Sequence, residues 1–174
     1  MDTTQEGMLA GIDQAIQAET DGYHFYQIAA RNTRDEGGRV VFETLAEDEL
    51  EHVRYLRACR GLLLKESPPE ETVPALGEPR LGPDDPIFSP AIRSRLHEAH
   101  IEISALSLAM HLEANAVRFY DALATAATDA WVREMYRRLA LWEEQHLRML
   151  KREHDLLIRD YDDAAARFAQ RAAC

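Results

Sequence analysis

Apolar residues recur at alternating three- and four-residue steps in four stretches of the chain, the signature of helices with one buried face. The second stretch runs Phe42, Leu45, Glu49, His52, Leu56, Cys59, Leu63. The fourth repeats its pattern with Met135, Leu139, Glu143, His146, Leu150. The first runs Ile12, Ile16, Glu19, Tyr23, Tyr26, Ala30, and the third Leu106, Met110, Glu113, Val117, Tyr120, Ala124. These stripes predict helices over 4–34, 38–64, 91–127 and 130–157. Thr3 with Glu6 fits a capping box for the first, Gly37 and Gly38 mark the break before the second, and Thr128 and Asp129 offer a break and cap before the fourth. All seven prolines (Pro68, Pro69, Pro74, Pro79, Pro83, Pro86, Pro90) fall between the second and third stretches. Because proline breaks helices, 65–90 reads as an irregular crossover between the hairpins 4–64 and 91–157. The tail, 158–174, has a composition that permits a short fifth helix or a frayed end. The expectation is one all-α domain: a four-helix bundle made of two helical hairpins.

The hairpins are copies of each other. Shifted by 94 residues, 15–57 overlay 109–151 without a gap, and 13 of the 43 positions are identical. They include Glu19/Glu113, Tyr26/Tyr120, Asp35/Asp129, Glu49/Glu143 and His52/His146. Two merely amphipathic hairpins would not keep these polar residues in register.

Each predicted inward stripe thus carries one glutamate, and two carry a Glu-x-x-His pair. Four carboxylates in one core repel one another and lose hydration, at a cost of several kcal/mol per unpaired ion. No Lys or Arg in the stripes offsets them. Two divalent cations would supply +4 against −4. Residues i and i+3 share a helix face, so Glu49 with His52, and Glu143 with His146, can each reach one ion. Glu19 and Glu113 are then placed to bridge the pair, the arrangement of di-iron and di-manganese carboxylate bundles. Carboxylate with imidazole suits iron or manganese, and zinc can occupy such sites. Tyr26 and Tyr120 either donate hydrogen bonds to these ligands or sit as core aromatics. His97 and His100 form an i, i+3 pair that reads mainly as a solvated face, and His24, His111 and His154 lie off the stripes. Cys59 reads as a small core residue.

Composition narrows the class. Twenty basic against 31 acidic residues give a formal charge of −11, unsuited to coating nucleic acid. Two cysteines, Cys59 and Cys174, cannot build a disulfide framework or a four-thiolate site. The start, MDTTQEGMLAGIDQ, shows no leader pattern, and no apolar run is long enough to span a membrane. A cytoplasmic protein is expected.

The segments AETDGYHFY, FETLAEDELEHVRYL, HLEANAVRFY and LALWEEQHLRML resemble the ferritin-like superfamily, most nearly its rubrerythrin branch. That resemblance implies a ferritin-like four-helix bundle with a long crossover. It also implies a dinuclear iron site held by Glu19, Glu49, His52, Glu113, Glu143 and His146. The implied activity is non-haem di-iron oxidoreduction: reduction of peroxide or O2, oxidation of ferrous iron, or both. The alternative is an iron-handling protein with little turnover. Rubrerythrins proper carry a rubredoxin domain with two Cys-x-x-Cys pairs. None is seen here, so electrons are expected from a separate donor such as a rubredoxin-type protein. Where rubrerythrins place an extra glutamate three residues after the ligand on the third helix, this chain has Ala116. Leu50 occupies the haem-methionine position of bacterioferritins, so no haem is expected. Some 25 extended residues reach about 80 Å, twice the ~40 Å length of a bundle helix. The crossover therefore has slack, which also permits a swapped pairing of halves, and a homodimer is expected.

Overall fold

The computed structural model describes residues 3–64, 74–82, 84–89, 92 and 100–172, and among these the side chains other than those of residues 3, 4 and 162–172. Pro68, Pro69, Pro83, Pro90, His97, Cys174, the expected start of the third helix and the Thr3 capping side chain lie outside that description.

Among the described residues, four long helices make an all-α bundle: α1 (Thr3–Asn32), α2 (Glu36–Leu63), α3 (His100–Ala126) and α4 (Ala130–Ala172). α1 packs along α2 and α3 along α4 as two hairpins, which meet through α1 against α3 and α2 against α4. Repeat-related aspartates start the second helix of each hairpin. Asp35 Oδ1 accepts from the Gly38 amide at 2.9 Å, and Asp129 Oδ1 from the Val132 amide at 2.9 Å. With Asp35 as cap, α2 begins at Glu36, and both glycines fall inside its first turn rather than before it. Gly38 answers a packing need: a Cβ there would stand 2.5 Å from the Phe88 ring.

The crossover is more than a tether. Ile87 and Phe88 are buried in the core beside Phe42. The Ser89 amide and hydroxyl both donate to Asp35. Arg80 reaches back to Glu47 and Asp48.

The tail corrects the sequence expectation. It forms no separate fifth helix, because α4 runs unbroken for 43 residues. Neither proline nor glycine lies between Ala130 and Ala172 to stop it. At about 1.5 Å per residue α4 is roughly 65 Å long, some 20 Å longer than its neighbours. Leu157 is buried, whereas Ile158 and Tyr161 are exposed. No described helix is long and apolar enough to cross a membrane.

Candidate metal centre

Two apolar clusters divide the core. One surrounds Phe42, Leu45, Leu106 and Leu150, and the other Ile12, Leu56, Met135 and Leu139. Between them lies a polar layer built from all four helices. α1 supplies Glu19, α2 Glu49 and His52, α3 Glu113, and α4 Glu143 and His146, every one of them at most 4% exposed. The 3-4 spacing that buries each stripe thus carries the six polar residues to one level of the bundle.

The six form two overlapping groups: Glu19, Glu49, His52 and Glu143, and Glu49, Glu113, Glu143 and His146. Within each group the candidate ligand atoms all lie within 4.8 Å of one another. The overlap favours a different pair than Glu19 and Glu113 for the position between two ions. Glu49 and Glu143 belong to both groups, whereas Glu19 and Glu113 belong to one each. With two ions bound, the glutamates of the Glu-x-x-His pairs would hold the shared position, and those of α1 and α3 the two ends.

The donor set fits a pair of cations. His52 Nδ1 stands 3.0 Å from Glu19 Oε2, 2.9 Å from Glu143 Oε1 and 3.7 Å from Glu49 Oε2. His146 Nδ1 faces Glu143 Oε2 at 3.5 Å and Glu113 Oε1 at 3.8 Å. Both Glu143 oxygens and His146 Nδ1 are buried without a hydrogen bond of good geometry. Unsatisfied buried acceptors are rare unless something else meets them. Without cations, protons do part of that work. Burial, with Glu143 and Glu19 beside it, pushes the Glu49 carboxyl well above its usual range. Burial and Glu143 do the same to Glu113. Burial would also raise Glu143, but His52 and His146 pull it well below the usual range. His52 is desolvated, yet Glu143 and Glu19 raise it strongly, and His146, likewise desolvated, is raised to about 9 by Asp48, Glu143 and Glu113.

The tyrosine contacts cross between hairpins. Tyr26 of α1 donates to Glu113 of α3, and Tyr120 of α3 donates to Glu19 of α1. Burial, followed by the adjoining carboxylates, raises both phenols well above their usual value, so each hydroxyl keeps its proton and orients an end glutamate.

Two supporting residues escaped the sequence reading. His146 Nε2 lies 3.3 Å from Asp48 Oδ2 and 3.1 Å from the Trp142 indole nitrogen. The indole N–H donates to Nε2 and the Asp48 carboxylate stands beside the same nitrogen, so the two groups hold the ring with Nδ1 facing Glu113 and Glu143. Arg80 of the crossover stands 3.3 Å from Asp48 Oδ1 and fixes that carboxylate. The repeat carries the asymmetry. Position 142 is the copy of position 48, so the group beside His52 is an indole. Its ring meets the imidazole edge-on at 4.8 Å, and His52 Nε2 has no hydrogen-bond partner among the described residues. The two histidines are therefore held differently. In Asp48→Asn, one of the two metal positions should weaken about 10- to 100-fold while the other is unchanged, read by competitive chelator titration. An unaltered titration would remove Asp48 from the site.

Of the remaining candidates, His24, His100 and His111 are exposed, and His154 is half-buried beside Asp155. Cys59 is fully buried, and burial pushes its thiol up to about 12, the state of an inert core residue.

This architecture is the ferritin-like four-helix bundle with a buried carboxylate–histidine centre. Residues 11–73, the stretch that holds Glu19, Glu49 and His52, match the rubrerythrin family model. A solved structure of a hypothetical protein from Pyrococcus furiosus shares the fold, with a TM-score of 0.60 and 24% identity over 87% of this chain and 90% of that one. No curated protein sequence matches the chain at significance.

Proposed function

We propose that the chain is a non-haem di-iron oxidoreductase of rubrerythrin type, which reduces peroxide with electrons from a separate donor protein. The observation that carries this reading is the pair of overlapping ligand groups sharing Glu49 and Glu143. Metal ions bound by these residues would supply the two electrons that H2O2 + 2 H+ + 2 e− → 2 H2O requires, together with Lewis acidity. The chain supplies the rest. Glu49 and Glu143 set the shared position, and His52 and His146 present imidazole nitrogens to its two sides. Tyr26 and Tyr120 keep Glu113 and Glu19 from swinging away. The flanking apolar clusters limit water at the centre, which strengthens every charge interaction inside it.

The test is anaerobic loading of chelated protein with two equivalents of ferrous iron, then stopped-flow mixing with peroxide. Oxidation at least about 10-fold faster than that of free ferrous iron in the same buffer is expected, a modest share of what enzymes achieve. Equal rates would overturn the catalytic reading and favour iron handling.

A further inference from the structure

A cavity of about 450 Å³ opens between α1 and α3 and ends on the metal centre, with Glu19, Glu49 and Glu113 at its base. Its walls are mainly apolar, with Phe25 on one side and Leu112 and Phe119 on the other, and the exposed Asp21 and Asn115 are the polar residues of the lining outside the centre and its tyrosines. Phe25 and Phe119 are copies of each other in the repeat, as are Gly22 and Ala116, the small residues that keep the base open. A Cβ at Gly22 would stand 3.2 Å from Glu49 Oε2, so even one methyl group there would crowd the floor.

Hydrogen peroxide and O2 do not need such a space. A water molecule takes about 30 Å³, whereas cavities of roughly 300–1,000 Å³ with apolar walls and a few converging polar groups hold organic ligands. Here the converging groups are the carboxylates of the redox centre itself. The occupant must therefore carry an apolar body for the phenylalanines and a reducible oxygen function for the base.

We propose that this cavity binds organic hydroperoxides with an aryl or branched alkyl group, and that these are substrates of the centre. The inference rests on the reading of the centre as a peroxide-reducing metal pair. The reaction is ROOH + 2 H+ + 2 e− → ROH + H2O. The O–O bond breaks, the two electrons come from two ferrous ions that become ferric, and solvent supplies the two protons. The alcohol product keeps the apolar group and leaves through the same opening.

Two measurements separate the cavity from the metal chemistry. In the first, chelated protein is titrated with 2-phenyl-2-propanol, the alcohol of cumene hydroperoxide, and binding is followed by calorimetry. Saturable binding at one site per chain is expected. It should weaken at least tenfold in Ala116→Phe, which fills the cavity, and in Leu112→Asp, which charges an exposed part of the wall. Circular dichroism confirms that each variant is folded. In the second, iron-loaded protein is mixed with cumene hydroperoxide or hydrogen peroxide. Ala116→Phe should slow oxidation by the first at least tenfold more than oxidation by the second, with metal content unaltered. Absence of alcohol binding to folded wild-type protein overturns the proposal, as does equal slowing with both oxidants. A groove that instead closes against a second copy, seen as a dimer lost in Leu112→Asp with no alcohol bound, also overturns it. Failure to load iron alongside normal alcohol binding would sink the reading of the centre and the substrate role, leaving the cavity assignment standing.

Discussion

Glu49→Gln should cost the protein nearly all of its bound metal, whereas Glu19→Gln should leave about one ion of two, the difference that a shared glutamate and an end glutamate imply. The substitutions are close in size and both sites are buried, so packing changes little in either. What differs is membership: Glu49 lies in both ligand groups and Glu19 in one. Elemental analysis after anaerobic loading and desalting reads the result. The same variant has a second expected effect. In the chelated state Glu49 contributes to a cluster of four carboxylates inside an apolar core. Neutralising one of them relieves repulsion and desolvation, so chelated Glu49→Gln should melt above chelated wild type at pH 8. Equal metal loss in the two variants would return the bridging position to the end glutamates.

Metal binding itself should raise the melting temperature by on the order of 10 °C. A ligand present at about a thousand times its dissociation constant stabilises by roughly 4 kcal/mol, and each kcal/mol is worth about 2–4 °C at this size. The gap should widen with pH. In the chelated protein His146 is raised to about 9 from an ordinary value near 6.5. Its stabilising charge is fully present below pH 6.5 and is lost as pH rises through 9. His52, also raised, acts in the same direction. Glu49 and Glu113, raised above the usual carboxylate range, likewise favour folding when protonated and penalise it as they ionise. Glu143 has the opposite sign, but it is depressed, so its stabilisation is lost only in acid. Calorimetry between pH 6.5 and 9 should therefore show the chelated protein losing stability. Protein loaded anaerobically with manganese should hold its own, because the metal replaces those protons. Parallel curves for the two forms would contradict the account.

Helix number and pairing were readable because each stripe obeys one period, and the six polar residues because the repeat keeps them in register. What spacing could not convey was which glutamates lie between the ions. Glu19 and Glu49 are equally good stripe positions, and what distinguishes them is the three-dimensional grouping of the ligand atoms. Asp48 and Trp142 were missed for a related reason. Each precedes its glutamate by one residue and so falls beside the stripe, where a polar or aromatic residue looks peripheral. The signal lay in the comparison of copies: an acid and an indole at equivalent positions of an otherwise matched motif. Ile87 and Phe88 form an apolar pair too short to show periodicity, so nothing along the chain marked the crossover as part of the core. The continuation of α4 past Leu157 was not anticipated, although no proline or glycine interrupts 130–172.

Metal content per chain after anaerobic ferrous loading, measured beside Glu49→Gln, bears on all of this at once. About two ions per wild-type chain, and nearly none in the variant, are expected for a pair of sites that share Glu49 and Glu143. No bound iron, iron in amounts far above two per chain, or a variant that binds as much as wild type would contradict a buried two-ion centre.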